Sequence, residues 1–162
     1  TGGSAIVFYL VGYAMMNLVA FSIIYIVKTK TGNYDIESLQ GFGYASPILG
    51  ISLTIALISL IGLPPTVGFM GKFYLFSVAL ENQMIWLVLI GVVNSVVSSY
   101  YYLRIVKNLY SSKKQTFGSI PIMSGISIVA VLCTIGIVVL GIYPSYFIGL
   151  AEEAVKVLLP PI

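Results

Sequence analysis

The feature that most limits how this chain can fold is a series of long apolar runs that carry almost no charge. The first run, Ala5 to Val27, contains no charged residue and a single amide, Asn17. At about 1.5 Å per residue, a helix of that length crosses the roughly 30 Å hydrocarbon core of a bilayer. A helix also satisfies all of its own backbone groups where no water is present. The sequence therefore predicts an all-α integral membrane protein.

The composition supports this prediction and excludes several soluble classes. Hydrophobic residues make up 59% of the 162 residues and charged residues only 8%, whereas soluble domains are roughly 25% charged. The few Lys and Arg residues are scattered among apolar runs, so no nucleic-acid partner is expected. One cysteine and no histidine exclude an intrachain disulfide and a histidine-based metal site or catalytic triad. The lipid bilayer is the partner that remains.

We predict one transmembrane region, residues 1–162, with four spans in a helical bundle. The spans cover residues 5–27, 47–80, 84–106 and 120–142, and an amphipathic tail follows at 146–159. Because the chain starts at Thr1, directly before a full span, we expect it to be a piece of a longer protein. In the first polar loop, the acidic residues Asp35 and Glu37 favour the start of a short interfacial helix.

The second span contains a break. Residues 47–80 are too many for one straight span at ordinary tilt, and their middle includes the adjacent prolines Pro64 and Pro65. Each proline lacks a backbone N–H and pushes the preceding residue out of helical geometry. We therefore expect a discontinuous helix, broken between Gly62 and Thr66, with Gly62, Pro64, Pro65 and Gly68 as the residues of the break. Such backbone is tolerated at membrane depth only where protein or a wet cavity satisfies it.

The distribution of basic residues predicts the orientation of the spans. Loops 28–46 and 107–119 fall on the same side of the membrane and contain most of the lysines, while the opposite side holds only Lys156. The positive-inside rule places both basic loops on the cytoplasmic side. Both termini of this piece then face the other side.

Lys72 is the one ionisable residue well inside a predicted membrane segment. A lysine at the centre of a span costs about 2.5–3.5 kcal/mol on insertion scales, and such residues commonly mark an ion or proton route. A lysine can release its proton, whereas an arginine stays charged. Broken helices beside ionisable groups are typical of transporters. Lys72 is therefore predicted to be a buried lysine and is the candidate proton relay, although a lysine anchored at the membrane interface is the simpler alternative.

Several polar residues share helix faces near this lysine and are candidates to line a wet path. Asn94, Ser98 and Tyr101 lie at i, i+4 and i+7 of the third span. Two further pairs each share a face of one helix: Ser52 and Ser59 in the first half-helix, and Tyr13 and Asn17 in the first span. Hydrogen bonding between helices is the simpler interpretation for each of them, because Ser and Asn commonly serve that purpose in bundles.

The residues around the break also carry a family resemblance. The stretch from Gly62 to Phe76 reads GLPPTVGFMGKFYLF and closely resembles the broken-helix motif of the antiporter-like subunits of respiratory complex I. Within that family, four other stretches resemble the N (chain 2) type: FYL from Phe8, NLVAF from Asn17, DIESLQG from Asp35 and YYYLR from Tyr100. In the sister M-type subunits of that family a glutamate occupies the position of Lys72, and in the L-type subunits an acidic residue follows the lysine, where this chain has Phe73. Both residues therefore favour the N type. The resemblance covers nearly the whole chain.

The resemblance implies a fold of about fourteen helices with two inverted repeats, of which this chain matches the C-terminal four. It implies that Lys72 is a proton-relay residue of the outward half-channel in a proton-translocating subunit of an NADH:quinone oxidoreductase. Such a subunit lies in an energy-converting membrane and binds no redox cofactor. Its partners are other membrane-arm subunits, including further antiporter-like ones, and the flavin and iron–sulfur clusters belong to partner subunits.

Two other functions remain open from the sequence. Multi-subunit Na⁺/H⁺ antiporters share much of the same motif, so the chain is alternatively a component of such an antiporter. A purely structural membrane subunit, with Lys72 as an interfacial anchor, is the third hypothesis.

Overall fold

The computed structural model describes residues 2–111, 117 and 125–158, and all of its regular structure is helical. The helices are α1 (Gly2–Thr31), α2 (Phe42–Ala45), α3 (Pro47–Ile61), α4 (Val67–Glu81), α5 (Ile85–Leu109), α6 (Gly125–Ile142) and α7 (Pro144–Leu158), with a 3₁₀ turn at Ile36–Leu39 between α1 and α2. The described residues contain no strand. The predicted all-α fold is confirmed.

Three of these helices, α1, α5 and α6, are long and apolar enough to cross a membrane. The helices α3 and α4 have 15 residues each and together occupy the predicted second span. The first five residues of the predicted fourth span, 120–124, lie outside the described residues. So do most of the predicted basic loop, at 112–116 and 118–119, and the last tail residue, 159.

The predicted discontinuous helix is confirmed and lies at the centre of the bundle. The helices α3 and α4 are both contacted by α1, α5 and α6. Pro47 begins α3 at a position where its missing N–H costs nothing, because the first-turn amides of a helix have no partner within it. The broken helix is therefore surrounded on several sides, and this arrangement decides what its interrupted backbone can contact.

Small residues allow the neighbouring helices to approach the break closely. A Cβ atom on Gly12 of α1 would lie 2.7 Å from Val67 Cγ2, and one on Gly141 of α6 would lie 2.3 Å from the carbonyl oxygen of Pro65. In a membrane, where lipid tails are as apolar as the core, such close packing is a main source of helix association. The backbones of α1 and α6 therefore pack directly against the residues of the break.

The helix α5 differs from α1 and α6 in how little of it is covered. Leu109 is its only buried residue, whereas α1 and α6 bury a stripe of side chains along their length. Trp86 and Tyr100 of α5 are 78% and 74% exposed. The helix α5 thus contacts α3 and α4 while most of its side chains stay uncovered.

Candidate functional site

The C-terminal end of α3 is formed by a glycine in the left-handed conformation. Gly62 has φ +92°, which L side chains rarely adopt, and its N–H donates to the carbonyl of Ile58 at 3.1 Å. Thr66 is extended and is the N-cap residue that precedes α4, and its hydroxyl donates to the carbonyl of Leu63 at 2.6 Å. The peptide between Pro64 and Pro65 is cis. Together these residues end one half-helix and start the next within five positions.

The N-terminal end of α4 is tied to α3 by Gly68. Its N–H is one of the first-turn amides that a helix leaves without a partner, and it donates to the hydroxyl of Ser59 at 3.0 Å. A Cβ at position 68 would lie 1.8 Å from the carbonyl oxygen of Ser59, so no side chain fits there. The buried hydroxyl of Ser59 therefore accepts a hydrogen bond from a backbone N–H that would otherwise have no partner at the break.

The amine of Lys72 meets the other end of the break, the C-terminus of α3. Its Nζ donates to the carbonyl oxygens of Leu60 and Ile61, each at 3.0 Å, and to the hydroxyl of Ser95 on α5 at 3.1 Å. The last carbonyls of a helix lack partners within it and carry the negative end of its dipole, so they favour a cation. A lysine ammonium has three N–H donors, and all three are used here.

Lys72 is half-buried, so the prediction of a buried lysine is wrong. Its side chain runs between two cavities rather than into a closed core. Packing on the α3 side is close, since a Cβ on Gly62 would lie 3.2 Å from Lys72 Cδ. The α5 side is less covered, since Leu109 is the only buried residue of that helix.

The two cavities differ in chemistry. The first, which we call the apolar cavity, has about 530 Å³ and lies mainly between α4 and α5. The second, the tyrosine cavity, has about 360 Å³ and lies between α1, α4 and α5. The apolar cavity is lined mostly by Phe69, Phe73, Phe76, Leu80, Val92 and Val96, and the tyrosine cavity by Tyr9, Tyr13, Asn94, Ser98, Tyr101 and Tyr102. Lys72 and Ser95 line both cavities, so the amine lies where an apolar and a polar space meet.

The structure brings some of the predicted channel-lining residues to Lys72 and leaves others apart. Asn94, Ser98 and Tyr101 line the tyrosine cavity together with the lysine. Ser52 and Ser59 are buried and line neither cavity. That any of these five residues lines a proton route stays a prediction.

Sequence reasoning missed Ser95 and two of the tyrosines. Ser95 follows Asn94 directly, so the i, i+4, i+7 pattern of Asn94 passes over it. The available signal was a second pattern, with Gly91, Ser95 and Ser98 at i, i+4 and i+7. Tyr9 and Tyr102 lie on different helices, and only the folded bundle shows that they share a cavity.

Within the described residues, no group of three His, Cys, Asp or Glu side chains is placed to hold a metal ion. The groups near Lys72 are hydroxyls, phenols, one amide and backbone carbonyls. These groups can hold water and pass a proton by hydrogen bonding, because hydroxyls both donate and accept.

Comparison with known proteins gives a consistent result. Residues 1–98 match the model of the family described as NADH:quinone oxidoreductase/Mrp antiporter, transmembrane part. The NADH-quinone oxidoreductase subunit N of Trichlorobacter lovleyi is 39% identical over 160 residues, which are 98% of this chain and 33% of that protein. The chain thus spans about a third of the length of the curated relatives it matches.

Two solved structures of respiratory complexes share the fold. Respiratory complex I from Thermus thermophilus matches with a TM-score of 0.78 and 27% identity, covering 91% of this chain and 34% of the matched chain. The membrane-bound sulfane sulfur reductase, an archaeal respiratory membrane complex, matches with a TM-score of 0.82 and 31% identity. The match covers 95% of this chain and 31% of the matched chain.

Proposed function

The chain belongs to the NADH:quinone oxidoreductase/Mrp antiporter membrane family, and on that basis we propose that it is the C-terminal part of a proton-translocating subunit of an NADH:quinone oxidoreductase. Its resemblance to the antiporter-like subunits of complex I, and among them to subunit N, is confirmed by the relatives. The proton-translocating role and the proton relay at Lys72 are our proposals for this chain.

The observation that carries the proposal is the placement of the Lys72 amine. It lies at the interrupted end of α3 and lines a cavity that also contains Asn94, Ser98 and Tyr101. A cation held by backbone carbonyls beside a polar cavity is the arrangement expected of a proton-exchanging group in a membrane. An anchoring lysine would extend toward a lipid headgroup, whereas this one is directed at the end of a neighbouring helix.

The proposal includes the surroundings of the chain. The subunit has no redox role and holds no cofactor, and the flavin and iron–sulfur clusters lie in partner subunits. Its other partners are membrane-arm subunits, among them further antiporter-like ones. It lies in an energy-converting membrane with its basic loops, 28–46 and 107–119, on the cytoplasmic side and both ends of this piece opposite.

The Mrp-type antiporter, which the sequence left open, is not favoured. The family model covers both kinds of protein, but the relatives at 36–43% identity are named NADH-quinone oxidoreductase subunit N.

Substitutions of Lys72 in the whole complex test the proposal. In proteoliposomes supplied with NADH and quinone, we expect Lys72→Met to lower the number of protons moved per electron while the complex still assembles. We expect Lys72→Arg to do the same, because an arginine can bond to the α3 carbonyls but does not release its proton. Lys107→Met, which removes an exposed lysine from the last turn of α5, is the matched control and should pump normally.

The arginine variant separates a relay from a structural cap. If Lys72 only satisfied the end of α3, Lys72→Arg would keep both assembly and pumping. A normal proton-to-electron ratio in Lys72→Met as well as Lys72→Arg would show that Lys72 is not the relay.

A further inference from the structure

The Lys72 site contains two kinds of hydrogen-bond partner. The carbonyl oxygens of Leu60 and Ile61 can only accept, whereas the hydroxyl of Ser95 can accept and donate. At present the Ser95 hydroxyl accepts from Lys72 at 3.1 Å and donates to the carbonyl of Gly91 at 3.0 Å. This difference matters only if the amine changes its protonation state.

We propose that Ser95 is a positioning residue that satisfies Lys72 in both protonation states, an inference that rests on the proposed proton relay. The ammonium form has three N–H donors, which match the two carbonyls and the Ser95 oxygen. The neutral amine has two N–H donors and one lone pair. It keeps its two bonds to Leu60 and Ile61, and the Ser95 hydroxyl donates to the lone pair.

The proton and the hydrogen bonds balance in this exchange. The proton that leaves is the one on the N–H that faces Ser95, since the other two N–H groups stay bonded to Leu60 and Ile61. It passes to a water molecule in the tyrosine cavity, which Ser95 also lines, and the N–H bonding electrons stay on Nζ as the lone pair. The Ser95 O–H turns from Gly91 toward Nζ without movement of a heavy atom. The Gly91 carbonyl still has its α-helical partner, the N–H of Ser95, so no backbone group is left without a bond.

Among the groups bonded to the Lys72 amine, only Ser95 can take this role. Within the described residues, no carboxylate lines either cavity, and the titratable neighbours of the amine in the tyrosine cavity are the phenols of Tyr9, Tyr13, Tyr101 and Tyr102. The hydroxyl of Ser98 donates to the carbonyl of Ser95, and that of Ser99 to the carbonyl of Val96. Of the three groups that hold Lys72, Ser95 alone has a hydrogen to give. A lone pair or donor left unsatisfied in an apolar environment costs free energy, which slows any cycle that passes through that state.

The test compares side chains of similar shape with and without the hydroxyl, in the whole complex. We expect Ser95→Thr to retain coupled proton translocation within about twofold, and Ser95→Val and Ser95→Ala to lower it about fivefold or more, as one lost hydrogen bond implies. Ser99→Ala, one turn along α5, is the control and should pump normally, because the Ser99 hydroxyl is bonded to the carbonyl of Val96 and not to Lys72. Assembly of each complex is measured alongside. If the Ser95→Ala complex does not assemble, the proton translocation of Ser95→Thr is compared with that of Ser95→Val, and this comparison alone tests the proposal.

A double substitution tests whether Ser95 acts through Lys72. On a Lys72→Met background, Ser95→Val should cause no further loss, because the amine that it serves is gone. Equal pumping by the threonine and valine variants would overturn the proposal, and so would an additional loss on the Lys72→Met background. These outcomes differ from failure of the proposed function, in which Lys72→Met and Lys72→Arg themselves pump normally.

Discussion

At the scale of single residues, Gly68 shows how closely two half-helices can approach. Its Cα lies so near the Ser59 carbonyl that the space for a side chain is absent, and its N–H is satisfied by the Ser59 hydroxyl. The sequence predicted that Gly68 belongs to the break, because glycines flank the two prolines. It could not predict the partner, since Ser59 and Gly68 meet only after the chain has turned at Gly62.

We expect Gly68→Ala to prevent close contact of α3 and α4 and to lower the amount of assembled complex. The added Cβ would fall 1.8 Å from a backbone oxygen, which cannot move aside as a flexible side chain can. Gly149→Ala is the control, because a Cβ at that helical position meets nothing within 4 Å. There alanine should be neutral or stabilising by up to about 1 kcal/mol. Equal assembly of the two variants, measured in membranes, would contradict the close approach at Gly68.

At the scale of helical elements, the discontinuous helix was predictable and its capping was not. Two adjacent prolines give a local signal, since each proline acts on its own backbone and on the preceding residue. The cap of α3 is a tertiary feature: its carbonyls are bonded by Lys72, more than ten positions along the chain, which is held in turn by Ser95 on a third helix. Periodicity within one helix cannot indicate such an arrangement.

Two glycines that each follow a helix, Gly62 after α3 and Gly32 after α1, form a matched pair for testing the cap of α3. Gly62 and Gly32 both have a left-handed φ, +92° and +80°, but only a Cβ on Gly62 would meet Lys72, at 3.2 Å from Cδ and 3.3 Å from Nζ. We expect alanine at either position to lower the free energy of unfolding by about 1–2 kcal/mol through backbone strain. Only Gly62→Ala should also lower the number of protons moved per electron. If Gly32→Ala impaired pumping equally, strain alone would explain both results.

At the scale of the whole molecule, the sequence predicted the kind of protein and its helical segments, because apolar runs and prolines act locally. It did not predict that α3 and α4 are contacted by all three of the long helices, or that α5 leaves most of its surface uncovered. Those features depend on which faces meet, and nearly uniform apolar helices give little information about that.

The orientation of the chain is tested by a matched pair of asparagines. Asn33 lies in the loop after α1 and Asn82 in the turn between α4 and α5, and both are exposed. In a Cys133→Ala background, we expect an impermeant maleimide to label Asn33→Cys from the cytoplasmic side and Asn82→Cys from the opposite side, as the positive-inside rule requires. Labelling of both from one side, or from the reversed sides, would contradict the orientation.

The sparse coverage of α5 has a consequence for the chemistry at Lys72. Two of the three acceptors of the amine belong to α3, which is enclosed by other helices, whereas the third belongs to a helix with one buried side chain. Because Ser95 lies on the less covered helix, a displacement of α5 relative to α3 would change the distance between Ser95 and Nζ. In the proposed complex, a neighbouring subunit that shifted α5 by a fraction of an ångström would change the hydrogen bonding of Lys72 without contacting the lysine.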